Sequence, residues 1–201
     1  MNTSKIKPQG IEDLSFEIID QEAGDHKFNS IQWPIVRRMI HTSADFEYID
    51  TVRFHKDACE AGIKAIKKGC SIMTDTNMAK AGIRNSAQCF IKDKDILEIA
   101  TAKNLTRAEA AVDKAVDLMT DGIYVIGNAP TALLRLIELI KQGKAKPALI
   151  VGFPVGFVNA AESKHDLIAL DYPYISNVGR KGGSNIAASV VNALIILAEG
   201  R

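Results

Sequence analysis

One stretch of the chain places an acid, a hydroxyl and an amine directly behind a glycine-rich turn. Residues 148–164 read A-L-I-V-G-F-P-V-G-F-V-N-A-A-E-S-K. The β-branched apolar run at the start predicts a buried strand, Gly156 lies in the turn that follows, and a helix is predicted to begin near Asn159. Three polar side chains are then expected beside a crevice at the carboxyl edge of a sheet: Glu162, Ser163 and Lys164. A structural protein has little need of such a cluster, so it favours binding or chemistry.

A histidine on a predicted helix is the second candidate for chemistry. The helix begins at residue 29 or 30, and one polar sector of it, roughly 100° wide, contains Arg37, Arg38, His41 and, if the helix continues, Asp45. Arg37 and Asp45 each lie four residues from His41, so they would tune its proton affinity in opposite directions. A lone histidine is more often structural than catalytic, and that alternative stays open. The charged neighbours favour the catalytic interpretation.

Three further turns place polar side chains where a predicted strand gives way to a helix. They are T-D-T-N-M at 74–78, G-N-A-P-T-A-L at 127–133 and G-R-K-G-G-S at 179–184. In open α/β sheets this position usually faces the ligand. The candidate ligand-contacting residues in these turns are Asp75, Met78, Asn128, Thr131, Arg180, Gly183 and Ser184. A plain helix cap explains Asp75 or Thr76 equally well, and Ser184 is also predicted as an N-cap.

The repeated order of strand, glycine turn and helix predicts the fold class. Four such units indicate a three-layer α/β/α domain with a mainly parallel sheet and a ligand site along its carboxyl edge. A length of 201 residues fits a single domain covering the whole chain. Ahead of the units, residues 1–10 are predicted to form an extended polar arm, and residues 11–22 a short amphipathic helix.

Composition and missing motifs exclude several classes of function. The formal net charge of +1 provides no global field for nucleic acid or membrane. The sequence lacks a secretion signal, a membrane-length apolar run, a phosphate-binding glycine motif, a serine-nucleophile elbow and a metal-ligand spacing. We therefore expect no resident metal. Three cysteines without a metal-binding spacing are expected to be free thiols in a reducing cytoplasm: Cys59, Cys70 and Cys89.

Five segments, in the same order along the chain, resemble the precorrin-8X methylmutase family of cobalamin biosynthesis. They are V-R-R-M-I-H at 36–41, T-D-T-N-M with A-G-I at 74–83, G-N-A-P-T-A-L at 127–133, K-P-A-L-I-V-G-F-P-V-G-F-V-N-A-A-E-S-K at 146–164 and G-R-K-G-G-S at 179–184. The resemblance runs from about Ile11 to Leu197, and the third and fourth segments are the most specific. Asn159 stands where the family usually has glycine, a change that we expect the helix start to accept.

The resemblance implies a reaction, a fold and an assembly. The reaction is a methyl shift from C11 to C12 of the corrin ring by a 1,5-sigmatropic rearrangement, on precorrin-8X or on cobalt-precorrin-8. The fold is flavodoxin-like, the assembly is a homodimer with sites near the subunit interface, and no cofactor is bound. The family's catalytic histidine corresponds to His41, and a substrate-contacting serine corresponds to Ser15. Neighbouring enzymes of the pathway are further candidate partners.

The residues suit this substrate in one independent respect. A large apolar ring rimmed by carboxylates needs a wide crevice with scattered cations, and Arg37 or Arg38, Lys164 and Arg180 are available. Each charge-assisted contact is worth about 1.5 to 3 kcal/mol. A sigmatropic shift needs a fixed ring geometry and a well-placed proton, which fits one histidine without a triad. The alternatives are a non-catalytic corrinoid or tetrapyrrole carrier and, less favoured, a flavodoxin-like nucleotide enzyme.

Overall fold

A five-stranded sheet forms the centre of the computed structural model, which describes residues 8–200. Its strands are β1 (Val52–Phe54), β2 (Ile72–Thr74), β3 (Ile123–Ile126), β4 (Leu149–Gly152) and β5 (Tyr174–Asn177). The order across the sheet is β1-β5-β4-β3-β2, in which β2 to β5 are parallel and β1 runs antiparallel to β5. The predicted mainly parallel sheet is therefore confirmed.

Helices cover both faces of this sheet. They are α1 (Pro8–Ala23), α2 (Gln32–Ser43), α3 (Tyr48–Thr51), α4 (Ala58–Lys67), α5 (Asn77–Gly82), α6 (Ile96–Lys103), α7 (Arg107–Ala115), α8 (Pro130–Lys141), α9 (Ala160–Ile168) and α10 (Ser184–Ala198). Helices α7, α8 and α9 pack on one face, and α2, α4 and α10 pack on the other. The predicted three-layer arrangement is confirmed. Within residues 8–200, no helix has both the length and the apolar character to cross a bilayer.

The strand order explains why the layers divide in this way. The chain passes from β2 to β3, β4 and β5 in one direction, and the connecting helices α7, α8 and α9 pack together on one face, as right-handed crossovers require. The short helix α5 after β2 is the exception and packs against α10. Helix α10 follows β5 and covers the opposite face. Alternate residues of the central strands enter the two cores: Val125 and Val151 pack on the α10 side, whereas Tyr124 and Ile150 pack on the α8 side.

Both edges of the sheet carry additional contacts. At the β1 edge, the Arg53 guanidinium donates to the carbonyl oxygens of Asp50 and Val52, at 2.7 and 2.8 Å. At the β2 edge, Gln88 forms a single parallel bridge with Met73, supported by two backbone hydrogen bonds of 2.8 Å. Pairing beyond β2 is thus limited to one bridging residue.

Three predicted element ends differ from the structure. Residues 1–7 of the predicted arm lie outside the described residues, and helix α1 begins at Pro8, so the end of that arm is helical. Helix α2 ends at Ser43, because Ala44 adopts a left-handed conformation with φ of 53°. Ser184 is the first residue of α10, and the N-cap is Gly183, so the prediction of Ser184 as N-cap is wrong by one position.

Candidate active site

The four predicted strand-to-helix turns meet at the carboxyl edge of the sheet. The backbone N–H of Asp75 donates to Val125, and the hydroxyls of Thr76 and Ser184 lie 2.8 Å apart. The turn after β4 joins its neighbours on both sides, since the N–H of Val155 donates to Asn128 and the carbonyl of Phe153 accepts from Gly183. One continuous rim therefore brings together all the turns that the sequence singles out.

Asp75 organises this rim from inside the protein. Its side chain is buried, and its carboxylate accepts three backbone hydrogen bonds of 2.8 to 2.9 Å from Gly127, Asn128 and Ala129. Burial raises the pKa of Asp75, and the three N–H donors oppose that effect. The N–H groups ahead of α8, which suit a ligand anion, are occupied by this internal carboxylate. Asp75 therefore faces the backbone instead of the crevice, whereas the cap of α5 is Thr76.

The cluster of Glu162, Ser163 and Lys164 does not project into one crevice. Glu162 is exposed, but Ser163 is buried and donates to the Ala160 carbonyl. Lys164 is fully buried, and its ammonium donates to Asn177 Oδ1 at 3.1 Å and to the Lys181 carbonyl at 2.6 Å. Consecutive residues of a helix point in directions about 100° apart, so three in a row do not share a face.

Residues 178–183, which we call the rim loop, are held in place from several sides. Gly182 has no room for a side chain, because a Cβ there would overlap the carbonyl oxygens of Phe153 and Pro154. Gly183 has φ of 134°, a conformation that favours glycine, and its N–H donates to Phe153 at 2.9 Å. The Arg180 carbonyl accepts from the N–H of Gly156 at 3.3 Å. The glycines of this segment thus have structural roles.

The two cations of the rim loop differ in what they bind. Arg180 is exposed, and its guanidinium lies 5.6 Å from the centroid of the Phe157 ring. Lys181 donates to Asp45 Oδ2 and Glu47 Oε2, both at 2.6 Å. These hydrogen bonds lower the pKa of Asp45 and raise that of Lys181. The loop is therefore tied to the end of α2 through Lys181, and Arg180 is the cation that it offers to solvent.

His41 lies in the last turn of α2, close to this rim. It is exposed, and its ring meets that of Phe16 edge-on at a centroid distance of 5.3 Å. The condition for Asp45 to share the polar sector of His41 is not met, because α2 ends at Ser43 and the Asp45 carboxylate binds Lys181. The catalytic role of His41 stays a prediction.

Arg37 and Arg38 attach helix α1 to helix α2. Arg37 pairs with Asp20 and Arg38 with Glu12, each at 2.8 Å. The Arg37 guanidinium also lies 4.4 Å from the centroid of the Phe16 ring. Both arginines are partly exposed, and their predicted contact with substrate carboxylates stays a prediction.

Ser15 precedes Phe16 on α1. Its hydroxyl donates to the Ile11 carbonyl at 2.8 Å, within the same helix, and the residue is half-buried. This is a common arrangement for serine inside a helix. The hydroxyl could rotate towards a ligand, but Ser15 as a substrate contact stays a prediction.

Two cavities flank the position of His41. One, of about 380 Å³, lies between the end of α2 and the rim loop and is lined by Thr42, Ser43, Asp45, Tyr48, Val155, Lys181, Gly182, Asn185 and Ile186. The other, of about 690 Å³, is lined by Glu12, Asp13, Phe16, Pro34, Arg37, Arg38, Arg84, Ala193, Ile196 and Leu197. The residues that follow His41 line the first cavity, and its ring partner Phe16 lines the second.

The remaining predicted residues are divided between the rim and its outer side. Asn128 and Met78 are exposed on the turns of the rim. Thr131 is half-buried and lies towards α7, with its hydroxyl 3.2 Å from that of Thr106. Substrate contact by these residues stays a prediction.

Two exposed apolar residues of the rim were not predicted from the sequence: Phe157 is 85% exposed and Val158 is 77% exposed. Their signal is an apolar run that continues past the end of β4.

Known proteins resemble the chain over nearly its full length. The family model described as precorrin-8X methylmutase matches residues 10–197. The cobalt-precorrin-8 methylmutase of Priestia megaterium is 48% identical over 96% of this chain and 90% of that protein. The precorrin-8X methylmutase of Pseudomonas aeruginosa is 38% identical over 92% of this chain and 94% of its own length.

A solved structure agrees with this match. The precorrin-8x methyl mutase of Thermus thermophilus superimposes with a TM-score of 0.89, at 46% identity, covering 96% of this chain and 97% of that one. The matched region includes every strand of the sheet and every turn of the rim. The chain belongs to the precorrin-8X methylmutase family.

Proposed function

We propose that this protein is an isomerase of cobalamin biosynthesis that moves a methyl group from C11 to C12 of the corrin ring. The substrate is precorrin-8X or cobalt-precorrin-8, and the product is hydrogenobyrinate or cobyrinate. The family match over residues 10–197 carries this proposal. In a 1,5-sigmatropic shift the bond from the methyl group to C11 breaks while the bond to C12 forms, so the substrate supplies every atom of the product.

His41 is the residue proposed to assist the shift. Imidazoles exchange protons near neutral pH, and His41 is exposed in the last turn of α2. It donates a proton or a hydrogen bond to a ring nitrogen while the methyl group migrates. Because the reaction is an isomerisation, a donated proton is returned when the product forms. General acid assistance of this kind is worth roughly 10²- to 10⁴-fold in rate.

The rim of the sheet is proposed to hold the ring. Exposed Phe157 and Val158 offer apolar surface to the macrocycle, and Arg180 offers a cation to one of its carboxylates. Lys164 is left out of this contact set, because its ammonium is directed inwards at Asn177 and Lys181. Ring carboxylates that meet Arg37 or Arg38 would share those cations with Asp20 and Glu12.

The cobalt-containing ring is the favoured substrate. The relatives from Priestia megaterium and Methanocaldococcus jannaschii, at 48% and 46% identity, are named cobalt-precorrin-8 methylmutases. The Pseudomonas aeruginosa and Sinorhizobium relatives, named precorrin-8X methylmutases, are 38% and 34% identical. Measuring turnover on cobalt-precorrin-8 and on metal-free precorrin-8X tests this preference. Faster conversion of the metal-free ring would contradict it.

An absorption assay separates the enzyme from the carrier alternative. Incubation with precorrin-8X or cobalt-precorrin-8 should shift the spectrum to that of hydrogenobyrinate or cobyrinate within catalytic turnover. A carrier would bind the ring and leave its spectrum that of the substrate. Product formed in large molar excess over protein supports the isomerase. If the protein is saturated with substrate and the substrate spectrum does not change, the proposed isomerase function is overturned.

A homodimer is the second part of the proposal. A ring of this size is difficult to enclose with one 201-residue chain, and a partner subunit that covers the ring held against Phe157 and Val158 would complete the enclosure. Light scattering at micromolar concentration should give twice the mass of the chain, and a monomer would contradict the proposal. The reducing cytoplasm stays the predicted location, in keeping with three free cysteines. Neighbouring pathway enzymes stay candidate partners.

A further inference from the structure

Lys164 is an ammonium-bearing side chain buried among neutral partners. None of its surface is exposed, and it donates to the Asn177 amide oxygen and the Lys181 carbonyl oxygen. Moving an ammonium out of water is unfavourable unless the protein replaces its hydrogen bonds, and burial lowers the pKa of Lys164 to about 8. An apolar side chain of similar length would fill this space without that penalty. The presence of an amine at this buried position is therefore best explained by the hydrogen bonds that it donates.

The Lys164 ammonium fixes the centre of the rim loop. The Lys181 carbonyl accepts from Lys164 Nζ at 2.6 Å and from Asn177 Nδ2 at 3.0 Å, so two buried donors converge on one backbone oxygen. The adjacent residue is Arg180, whose guanidinium is exposed on the rim. The other backbone anchors of the loop, at Gly156 and Gly183, lie on either side of this point.

His41 depends on other contacts. Its helix α2 packs against α10, buries Ile35 and Met39 in the core that the two helices share, and is joined to α1 by ion pairs. Lys164 belongs to α9, whose core lies on the opposite face of the sheet. A change at Lys164 thus reaches the rim loop directly. It reaches the end of α2 only through the exposed ion pairs of Lys181 with Asp45 and Glu47, whereas α2 itself is held by its own core and ion-pair contacts.

We propose that Lys164 is a positioning residue for substrate binding: it does not touch the ring, and it fixes the rim loop so that Arg180 meets a ring carboxylate. This inference rests on the proposed function for its ligand. It assigns Lys164 a role that differs from the direct contact expected from the sequence.

The kinetic signature is a rise in KM without a matching fall in kcat. Lys164→Met should raise KM for cobalt-precorrin-8 about tenfold and keep kcat within about twofold, because a charged contact to the ligand is weakened while His41 stays in place. A merely structural role would reduce the amount of active protein, which lowers apparent kcat and leaves KM unchanged. Lys144→Met, at an exposed lysine after α8, serves as the matched control.

A double-mutant cycle distinguishes positioning from direct contact. If Lys164 acts through Arg180, then Lys164→Met should add less than about twofold to KM in a chain that already carries Arg180→Ala. If Lys164 touches the substrate itself, the two losses should multiply. Multiplied losses would overturn the proposal.

Amide hydrogen exchange tests the positioning without any use of activity. The N–H groups of Gly183 and Gly156 are bonded to Phe153 and Arg180, and both should exchange at least about tenfold faster in Lys164→Met. The N–H of His55 donates to Tyr174, the first residue of β5, at the end of that strand away from the rim loop. Its exchange rate should be unchanged. Unchanged exchange at Gly183 and Gly156 would overturn the inference.

The two proposals fail in different ways. If the wild-type protein does not isomerise either ring, the proposed function fails, and the exchange rates still decide whether Lys164 positions the loop. If Lys164→Met does not fold, Lys164→Gln retains a donor at a shorter reach and should show the same changes to a smaller degree. A Lys164→Gln variant with wild-type KM and wild-type exchange at Gly183 would overturn the inference.

Discussion

The ring of Phe16 meets the imidazole of His41 edge-on, with ring centroids 5.3 Å apart and planes inclined by 64°. Edge-to-face contacts of this geometry contribute about 0.5 to 1.5 kcal/mol beyond simple burial. Phe16 belongs to α1 and His41 to α2, so one helix orients the side chain of the other. The first helix of the described structure is therefore part of the candidate active site.

Removing this contact should slow the reaction. Phe16→Ala is expected to lower kcat about tenfold, because the imidazole loses the edge contact that restricts its rotamers. Phe16→Leu keeps apolar bulk under the Arg37 guanidinium and serves as the packing control. Steady-state kinetics of both variants, with melting curves, provide the measurement. Equal kcat in Phe16→Ala and wild type would show that His41 is oriented by other groups.

The role of His41 itself is tested by truncation. His41→Ala should lose roughly 10²- to 10⁴-fold in turnover, the range of general acid assistance, and should still bind product. His165→Ala removes an imidazole from α9 and should leave turnover unchanged. Product affinity is measured by spectroscopic titration. If His41→Ala rearranges substrate at close to the normal rate, fixed ring geometry alone accounts for the reaction.

Arg180 should contribute to affinity more than to stability. Arg180→Ala is expected to weaken product binding by about one to two decades, the effect of one charge-assisted hydrogen bond. The melting temperature should stay within a degree or two, because the guanidinium is exposed. Arg107→Ala on the exposed start of α7 is the matched control. Undiminished product affinity in Arg180→Ala would move the carboxylate site away from the rim loop.

Asp75 should contribute to stability. Asp75→Asn is expected to lower the free energy of unfolding by about 1 to 3 kcal/mol, since an amide cannot accept all three N–H donors and its own NH₂ would face one of them. Urea unfolding is the measurement, with Asp117→Asn as an exposed control. A difference under 0.5 kcal/mol, on the order of a surface substitution, would contradict the assigned role.

Lys164 should make stability depend on pH in the alkaline range. Burial lowers the pKa of Lys164 to about 8 in the native state, against about 10.4 for an unfolded lysine. Between these values the unfolded chain holds a proton that the native chain has released, so this group makes stability rise with pH. The difference in unfolding free energy between wild type and Lys164→Met should increase from pH 8 to pH 10. Taking the difference between the two proteins cancels the contributions of other groups that titrate in this pH range. Parallel plots of unfolding free energy against pH for the two proteins would contradict the prediction.

Much of the fold could be predicted because its signals are local. The strand predicted at the start of residues 148–164 is β4, and the helix predicted to begin near Asn159 is α9, which begins at Ala160. Short apolar β-branched runs that end at glycine are sufficient to identify buried parallel strands. Asn159 adopts φ of 59°, a left-handed conformation that asparagine accepts more readily than most residues, which agrees with its place at a helix start.

The orientation of polar side chains could not be predicted in the same way. The partners of Asp75 are 52 to 54 residues away in the chain, and those of Lys164 are 13 and 17 residues away. A carboxylate or amine at a strand-to-helix turn has the same local pattern whether it binds a ligand or a backbone. Tertiary contacts are needed to distinguish an exposed cation such as Arg180 from a buried one such as Lys164.

The contacts at the two sheet edges have a consequence for how copies of this protein can associate. Unpaired edge strands are templates for edge-to-edge aggregation. Here the Arg53 guanidinium occupies carbonyl oxygens beside β1, Gln88 pairs with β2, and each edge strand is only three residues long. Growth of the sheet from one molecule into the next is thereby disfavoured. Specific assembly is directed to helices or to the apolar rim, where recognition depends on side chains.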